Sequence, residues 1–490
     1  MAPLPSCPAQ LGITTPAPPP QLLSSALIIA LPSILFRRHS PTFLLCGPSS
    51  TLLRHRRSSM ALHRSKPPLL IILLLLIALV VPSAATSAAL VGVNYGRVGD
   101  NLPPSETVPR LLASIGVGRV RLYDADTAVL RAFANTGVEL VVGMPDRCLP
   151  PVAADPAEAL AWARAHVQAF VPAVKIVAVT VGNEVLTGAN ASGLAHCIVP
   201  AMENLHGALA SLGLDRDVAV TSAHSLAVLA TPSYPPSGAV FRPDLLPYVR
   251  PLLAFHGRTG SPFFVNAYPY FAYVNDPSGV ALEYALLDQG SAAFTDPATG
   301  LRYGNLLHAQ VDAVYHAIAA AASPSSKGGG VEVRLSETGW PSAGDANETG
   351  ATPENAARYN GNLMRLVAGQ KGTPLVPGTP IRAYVFALFN ENQKAGPSSE
   401  RNYGLFKPDG TPAYQLVGVS MHQGSNSTST STSTSTSTDG IGGNGDGEAS
   451  TTGPDGESGF FSISAASPDW QCRAATSAAI AGASVFLKLL

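Results

Sequence analysis

Short runs rich in Val, Ile, Leu and Phe recur from Leu90 to about Gln423, and a helical or loop segment follows each of them. Near-continuous apolar runs of this length are typical of strands that are buried on both faces of a parallel sheet. The eight runs are LVGVNYG from Leu90, RVRLYDAD from Arg119, ELVVGMP from Glu139, KIVAVTVGNEV from Lys175, DVAVTSAHS from Asp217, PFFVNAYPYF from Pro262, VEVRLSETGW from Val331 and RAYVFALFNEN from Arg382.

Helical patterns separate several of these runs. One is SETVPRLLASIG, for which Ser105 is the predicted N-cap, and another is NAARYNGNLMRLV. Strands that alternate with helices over roughly 330 residues predict a single (β/α)8 TIM barrel, which takes about 250 residues plus insertions. A doubly wound open sheet is the alternative, but no glycine-rich phosphate loop follows the first strand.

The segment before the barrel has the pattern of a secretory signal peptide. A basic start at Met60 precedes the apolar run Leu69–Val81 and the small residues of PSAATSAAL. The apolar run is shorter than the ~20 residues that a membrane-spanning helix needs, which disfavours an anchor. We predict a signal peptide over residues 60–88 and a barrel domain over 89–423. Residues 1–59, rich in Pro, Ser and Arg, are either an upstream extension or a transit segment.

The composition changes after the barrel. Residues 424–463 are a Ser/Thr- and Gly-rich linker that cannot bury a core, so they are expected to be disordered. Residues 464–490 combine small residues, a polar spacer and an apolar tail, a pattern that resembles a GPI-attachment signal. An ordinary secreted tail is the alternative. Three N-x-S/T sequons fit an exported glycoprotein: Asn190, Asn347 and Asn426.

Charge and cysteine content exclude several function classes. The formal net charge is −1 and 13% of the residues are charged, which disfavours nucleic acid as a partner. The sequence has no CxxC, HExxH or Cys/His cluster, so we predict no metal and no cofactor. Cys148 and Cys197 follow neighbouring predicted strands, where they either form a disulfide or remain two buried thiols.

Two glutamates end predicted strands, and function in a TIM barrel gathers at the C-terminal strand ends. Glu184 closes the fourth strand and Glu337 closes the seventh, so they would face each other across the barrel mouth. A pair of carboxyl groups is what glycoside cleavage requires, with one as acid and the other as nucleophile or base. The alternative is structural, because strand-end carboxylates also bind backbone amides or basic side chains. Aromatic residues predicted at the same mouth are Tyr95, Tyr268, Tyr270, Phe271 and Trp340.

The motifs GVNYG, VTVGNEV, NAYPYFAY, LSETGWPS and FALFNENQK…ERNYGLFKPDGTPAY resemble, in order, those of plant glycoside hydrolase family 17, the β-1,3-glucanases. The resemblance covers about residues 90–417. It implies a retaining double displacement with Glu337 as nucleophile and Glu184 as general acid/base. It also implies that Asn183 hydrogen-bonds the sugar 2-hydroxyl.

The same resemblance implies further substrate-binding residues. Tyr95, Tyr268 and Phe271 would line the cleft, although a core role competes for Phe271. Glu391, Lys394 and Glu400 match family positions near the site, and an ion-pair network that holds the last barrel loop is the alternative for them. Lys394 is also a candidate for the cation that keeps Glu337 ionised.

The function that the resemblance implies is endo-hydrolysis of 1,3-β-glucan, either callose or a fungal-type wall glucan. A transglycosylase with the same site and a non-catalytic wall-glucan-binding protein are the alternatives. Because pure binding does not require an acid and a nucleophile, the presence of both Glu184 and Glu337 argues against the second alternative. We expect a monomer that is secreted to the cell wall or apoplast, with a GPI anchor at the outer face of the plasma membrane as a further prediction.

Overall fold

A computed structural model describes residues 91–188, 191–230, 234–322 and 330–415. Eight parallel strands close into a barrel, which confirms the predicted TIM barrel and excludes the open sheet. Each predicted apolar run contains one of these strands, which are β1 (Val91–Tyr95), β2 (Arg119–Leu122), β3 (Glu139–Met144), β4 (Lys175–Asn183), β5 (Ala219–Ser225), β6 (Phe263–Asn266), β9 (Val333–Thr338) and β10 (Ala383–Val385). Around the barrel they follow the order β1-β10-β9-β6-β5-β4-β3-β2. A small antiparallel pair is formed by β7 (Phe294–Thr295) and β8 (Arg302–Tyr303).

Helices occupy the segments between the barrel strands. The α-helices are Val108–Ser114, Thr127–Ala132, Leu149–Ala154, Pro156–Ala163, Ala191–Leu194, Ile198–Ser211, Leu246–Thr259, Pro269–Asn275, Leu282–Ala285, Leu306–Ala321 and Pro353–Ala368. The predicted NAARYNGNLMRLV helix lies within the last of them. The N-cap prediction for Ser105 is wrong, because a 3-10 turn over Ser105–Thr107 precedes the helix and the Ser105 hydroxyl instead contacts the Tyr95 phenol at 3.3 Å.

The core has two parts. A large apolar cluster includes the outward faces of the strands and the helices that cover them, with Val93, Val120 and Val142 completely buried. A small separate cluster fills part of the barrel interior and consists of Val141, Ala178, Ala223, Phe264 and Tyr384. A Cβ atom at Gly92 would lie 2.3 Å from a Tyr384 ring carbon, so this glycine makes room for the tyrosine ring inside the barrel.

Several predictions concern segments or residues at the margins of the barrel. The thiol of Cys197 is free and buried in the apolar core, where it acts as a small hydrophobic group, so the hypothetical Cys148–Cys197 disulfide is wrong. In the described parts of the chain, none of the helices is long and apolar enough to cross a membrane. The proposed segments 1–59, 60–88, 424–463 and 464–490, together with Asn190 and Asn426, lie outside the described residues.

Candidate active site

Glu337 lies at the end of β9 and is completely buried. Three side chains donate hydrogen bonds to its carboxylate. Arg121 Nη1 and the Tyr123 hydroxyl reach Oε1 at 2.6 and 2.7 Å, and the Tyr268 hydroxyl reaches Oε2 at 2.8 Å. A buried carboxylate is tolerated when such donors replace water, and here they also fix its orientation in the barrel mouth.

The two tyrosines remain hydrogen-bond donors over the whole neutral range. Burial, followed by the nearby charge of Glu337, raises the pKa of both Tyr123 and Tyr268 well above the usual value. A phenol with a raised pKa keeps its proton, so each hydroxyl continues to donate to the carboxylate. The hydrogen-bonded geometry of Glu337 therefore does not depend on the ionisation of these neighbours.

Arg121 is the cation that contacts Glu337 directly. It is completely buried on β2, and its Nη2 donates to Asn183 Oδ1 at 2.7 Å while Nη1 binds Glu337. Burial alone would lower the Arg121 pKa, but Tyr123 and Glu337 outweigh burial and raise it. Arg121, which was not the predicted candidate, makes the direct ion pair with Glu337, whereas the ion pairs of Lys394 are with Glu391 and Glu400.

Glu184 follows β4 with a left-handed backbone, at φ 54°. Its amide donates to the Ala223 carbonyl at 2.8 Å, and its carbonyl accepts from the Thr187 and Gly188 amides at 3.0 and 2.8 Å. Residues other than glycine seldom adopt this conformation, and those that do are concentrated at functional sites. The local turn thus directs the Glu184 side chain toward Asn266, whose Nδ2 donates to Oε1 at 2.8 Å.

A chain of hydrogen bonds connects the two glutamates. From Glu337 it runs through Arg121 to Asn183 Oδ1, which also accepts from Asn266 Nδ2 at 3.4 Å, and Asn266 in turn binds Glu184. Asn266 is also the register partner of Glu337 across β6 and β9. The structure therefore brings both predicted catalytic carboxylates into one buried polar network.

Irregular strand pairing directs the side chains of both glutamates into this network. The β6–β9 register passes from Val265↔Leu335 to Asn266↔Glu337, so β9 has one extra residue, Ser336, at that point. Strict alternation would place Ser336 and Glu337 on opposite faces, whereas a bulge redirects a side chain. Here Ser336 Oγ donates to Asn266 Oδ1 at 2.6 Å while Glu337 also points into the barrel. The β4–β5 register shifts similarly before Asn183.

Asn183 carries an unused donor at the centre of the network. Its Oδ1 accepts from Arg121, but its buried Nδ2 has no hydrogen-bond partner among the described residues. A buried amide donor without a partner is costly unless a ligand satisfies it. This orphan donor has the chemistry that the predicted contact with a sugar hydroxyl requires.

The three remaining charged residues form a second cluster. Lys394 Nζ lies 3.8 Å from Glu391 Oε2 and 3.9 Å from Glu400 Oε2, and 4.1 Å above the Phe386 ring. Burial raises the pKa of Glu400 to about 7, although the charge of Lys394 acts to lower it and that of Glu337 to raise it. Glu391 Oε1 also accepts from the Val98 amide at 2.6 Å. The ion-pair network considered from the sequence is therefore present.

The aromatic residues predicted at the mouth differ in exposure. Tyr270 and Trp340 are core residues, because both are almost completely buried and Trp340 Nε1 donates to the Gly350 carbonyl at 2.8 Å. Tyr95 is also buried, while Tyr268 binds Glu337. Phe271 is half-buried and packs beside Tyr268, with 5.2 Å between ring centroids and 53° between the ring planes. Of this set Phe271 offers the most ring surface to solvent.

Comparison with known proteins places this arrangement in a family. Residues 91–417 match the family model described as Glycosyl hydrolases family 17. The chain belongs to this family. No group of three or more His, Cys, Asp or Glu side chains that could hold a metal occurs in the described ranges of this family 17 hydrolase.

Relatives and solved structures of high similarity agree with the family assignment. The chain is 51% identical over 334 residues to glucan endo-1,3-beta-glucosidase 11 of Arabidopsis thaliana, covering 68% of this chain and 76% of the relative. It is 42% identical over 330 residues to glucan endo-1,3-beta-D-glucosidase of Olea europaea, covering 67% and 70%. Among solved structures, CJP38, a beta-1,3-glucanase and pollen allergen of Cryptomeria japonica, matches with a TM-score of 0.63 and 38% identity, covering 68% of this chain and 99% of that one.

Three residues of the family 17 site were missed from the sequence. Arg121 and Tyr123 belong to the predicted strand segment RVRLYDAD, and Asn266 belongs to the predicted strand segment PFFVNAYPYF. The signal for Arg121 was present, because a charged residue in the middle of a buried parallel strand needs a partner inside the barrel. The Asp124 and Asp126 side chains that follow instead bind Arg97, at 2.7 and 2.9 Å.

Proposed function

We propose that this family 17 hydrolase cleaves internal 1,3-β-glucosidic bonds of 1,3-β-glucans through a covalent glycosyl-enzyme, with retention of configuration. The observation that carries the proposal is the buried network in which Arg121 links the carboxylate of Glu337 to Asn183 and onward to Glu184. Relatives that are named as glucan endo-1,3-beta-glucosidases support the choice of substrate. Callose and fungal-type wall glucan share this linkage.

In the first step Glu337 is the nucleophile and Glu184 the acid. A Glu337 carboxylate oxygen forms a bond to the anomeric carbon while the glycosidic C–O bond breaks, and the Glu184 proton moves to the leaving oxygen. Arg121, Tyr123 and Tyr268 hold the carboxylate before attack, so little reorganisation is needed when the reaction begins. Asn183 Nδ2 is the donor for the sugar 2-hydroxyl.

In the second step water replaces the enzyme on the sugar. Glu184, now ionised, takes a proton from water as the water oxygen attacks the anomeric carbon, and the bond to Glu337 breaks. Formation of the ester has removed the negative charge of Glu337, which makes deprotonation of Glu184 easier and suits its change from acid to base. Both carboxyl groups return to their starting states.

Replacement of the nucleophile tests the proposal. Glu337→Gln should lower turnover of a linear 1,3-β-glucan by more than ~10³-fold, because the amide cannot form the glycosyl ester, while binding is largely kept. Glu354→Gln, at an exposed carboxylate on the helix Pro353–Ala368, is the matched control. Near-normal turnover by Glu337→Gln would refute the assignment, and an α-anomer as the first product in NMR of the active enzyme would refute retention. Products longer than the substrate would instead indicate a transglycosylase.

We also propose that the protein is an exported monomer that acts at the cell wall and is attached to the membrane by a GPI anchor. The signal-peptide pattern of residues 60–88 and the tail pattern of residues 464–490 support this, as does the exposed sequon at Asn347. Release from plant membranes by a phosphatidylinositol-specific phospholipase tests the anchor. Retention in the membrane fraction after complete digestion would contradict it, and light scattering of the released protein tests the monomer.

A further inference from the structure

Two large apolar side chains stand out on the described surface, Tyr234 with 44% and Val240 with 41% of their area exposed. Both lie in the loop between β5 and the helix Leu246–Thr259. Isolated exposed apolar residues are common on protein surfaces, but here the described residues place both in one loop. The Ala230 amide donates to the Val240 carbonyl at 2.8 Å, so the two arms of this loop pair with each other.

The Tyr234 ring packs against a second aromatic residue. Its centroid lies 4.0 Å from that of Phe294, with 39° between the ring planes, and Phe294 begins the short strand β7. Asp296 ties the two loops together, since its completely buried carboxylate accepts from the Ser237 amide at 2.9 Å and from Ser237 Oγ at 2.7 Å. The exposed ring is therefore held in place before any ligand arrives.

The aromatic pair lies on the same end of the barrel as the glutamate network. Tyr234 belongs to the loop after β5, and Phe294 to the long connection after β6. In the barrel β5 lies between β4, which leads into Glu184, and β6, which carries Asn266. Loops that follow the C-terminal ends of parallel barrel strands lie at the mouth, so this pair belongs to its rim.

We propose that Tyr234 and Phe294 form a second glucan-binding platform at the rim, separate from the catalytic network, which takes the flat face of a glucosyl unit. The proposal rests on the proposed function and identifies a further contact for the same substrate. The axial C–H groups of a β-glucosyl ring form an apolar face that an exposed phenol ring can cover. Because the ring is already fixed, binding there costs little ordering entropy.

A polymeric substrate makes such a platform useful. A glucan chain held by the catalytic network presents its other glucosyl units at a high effective concentration to any site within reach on the same rim. An oligosaccharide that is bound only at the catalytic network gains nothing from the platform. The platform should therefore affect long substrates more strongly than short ones, which distinguishes it from the catalytic network.

The test compares Tyr234→Ala with Tyr234→Trp, which keeps a flat ring. The ratio of kcat/KM on long linear 1,3-β-glucan to that on laminaritriose should fall about threefold to tenfold in the alanine variant and hold in the tryptophan variant. In a Glu337→Gln background, retardation of the protein in gels that contain 1,3-β-glucan should weaken by a similar factor with Tyr234→Ala. Thermal unfolding of each variant checks that the fold is intact.

Other outcomes would overturn the inference. An unchanged ratio for Tyr234→Ala in a protein that hydrolyses both substrates would refute the platform and leave the proposed function standing. Loss of a dimer in size-exclusion chromatography, with the ratio unchanged, would show that the ring is a contact between copies of the chain. If the unsubstituted protein hydrolyses neither substrate, the proposed function itself fails and the platform fails with it.

Discussion

Two buried cations, Arg121 and Lys394, lie among acidic residues of the site and are held in different ways. Arg121 makes close hydrogen bonds, at 2.6 Å to Glu337 and 2.7 Å to Asn183. Lys394 Nζ lies 3.8 and 3.9 Å from its two glutamates, and none of the described residues accepts a hydrogen bond from it. Both side chains are almost completely buried, so exposure does not explain the difference.

The difference indicates two kinds of electrostatic function. The planar guanidinium of Arg121 is committed to fixed partners, which suits a group that orients a nucleophile. The Lys394 ammonium is close enough to its glutamates for charge compensation but keeps its donors unused, which suits a group that binds an incoming hydroxyl. Arg121 therefore serves the enzyme's own carboxylate, and we propose that Lys394 binds the substrate.

The largest effect that this comparison predicts is at Arg121. Arg121→Lys keeps a positive charge but cannot bind Glu337 and Asn183 in the same fork, so we expect kcat to fall about 10³-fold. Steady-state kinetics on linear 1,3-β-glucan measures the change, and circular dichroism with thermal unfolding controls for misfolding. A folded Arg121→Lys enzyme with full kcat would show that the charge alone is sufficient.

A smaller effect, with a different kinetic signature, is expected at Lys394. Lys394→Met should raise KM for 1,3-β-glucan about tenfold and change kcat less, because a hydrogen bond from a charged donor to the substrate is lost. Lys175→Met is the matched control, since Lys175 is 57% exposed at the start of β4 and pairs with Glu139. If Lys394→Met lowers kcat and leaves KM unchanged, the two cations do not differ in the way proposed here.

The sequence predicts the barrel well because each strand is a local apolar pattern of its own. It also predicts Glu184 and Glu337, since a carboxylate at a strand end is visible without knowledge of the other strands. The pairing of Arg121 with Glu337 depends on the order of strands around the barrel and on the bulge at Ser336, which are properties of non-local register. The cation was therefore assigned to Lys394, which lies after a strand end, instead of to Arg121 inside a strand.

The same dependence on long-range packing explains the aromatic residues. Trp340 follows Glu337 in a motif of the family, yet its ring packs 5.6 Å from Tyr359 and 5.1 Å from Tyr270 in the core. Sequence position places it at the mouth, but the direction of its side chain is set by the helix Pro353–Ala368 packed behind it. For Tyr234, in contrast, no sequence pattern predicts a role, because its loop has no apolar periodicity.

The smallest predicted effect concerns pH and the Lys394 cluster. Burial raises the pKa of Glu400 to about 7 from the ordinary 4.5, so Glu400 becomes ionised as the pH rises through about 7 and then competes with substrate for Lys394. KM should rise about twofold to fivefold across that range in the unsubstituted enzyme and stay level in Glu400→Gln.

The raised pKa of Glu400 also determines how the stability of the fold depends on pH. Between pH 4.5 and 7 the folded state retains a proton that the unfolded state releases, so the free energy of unfolding falls as pH rises, and less so in Glu400→Gln. Equal pH profiles of KM for both enzymes would mean that Lys394 reaches its substrate independently of Glu400, and the two cations would then differ less than their contacts suggest.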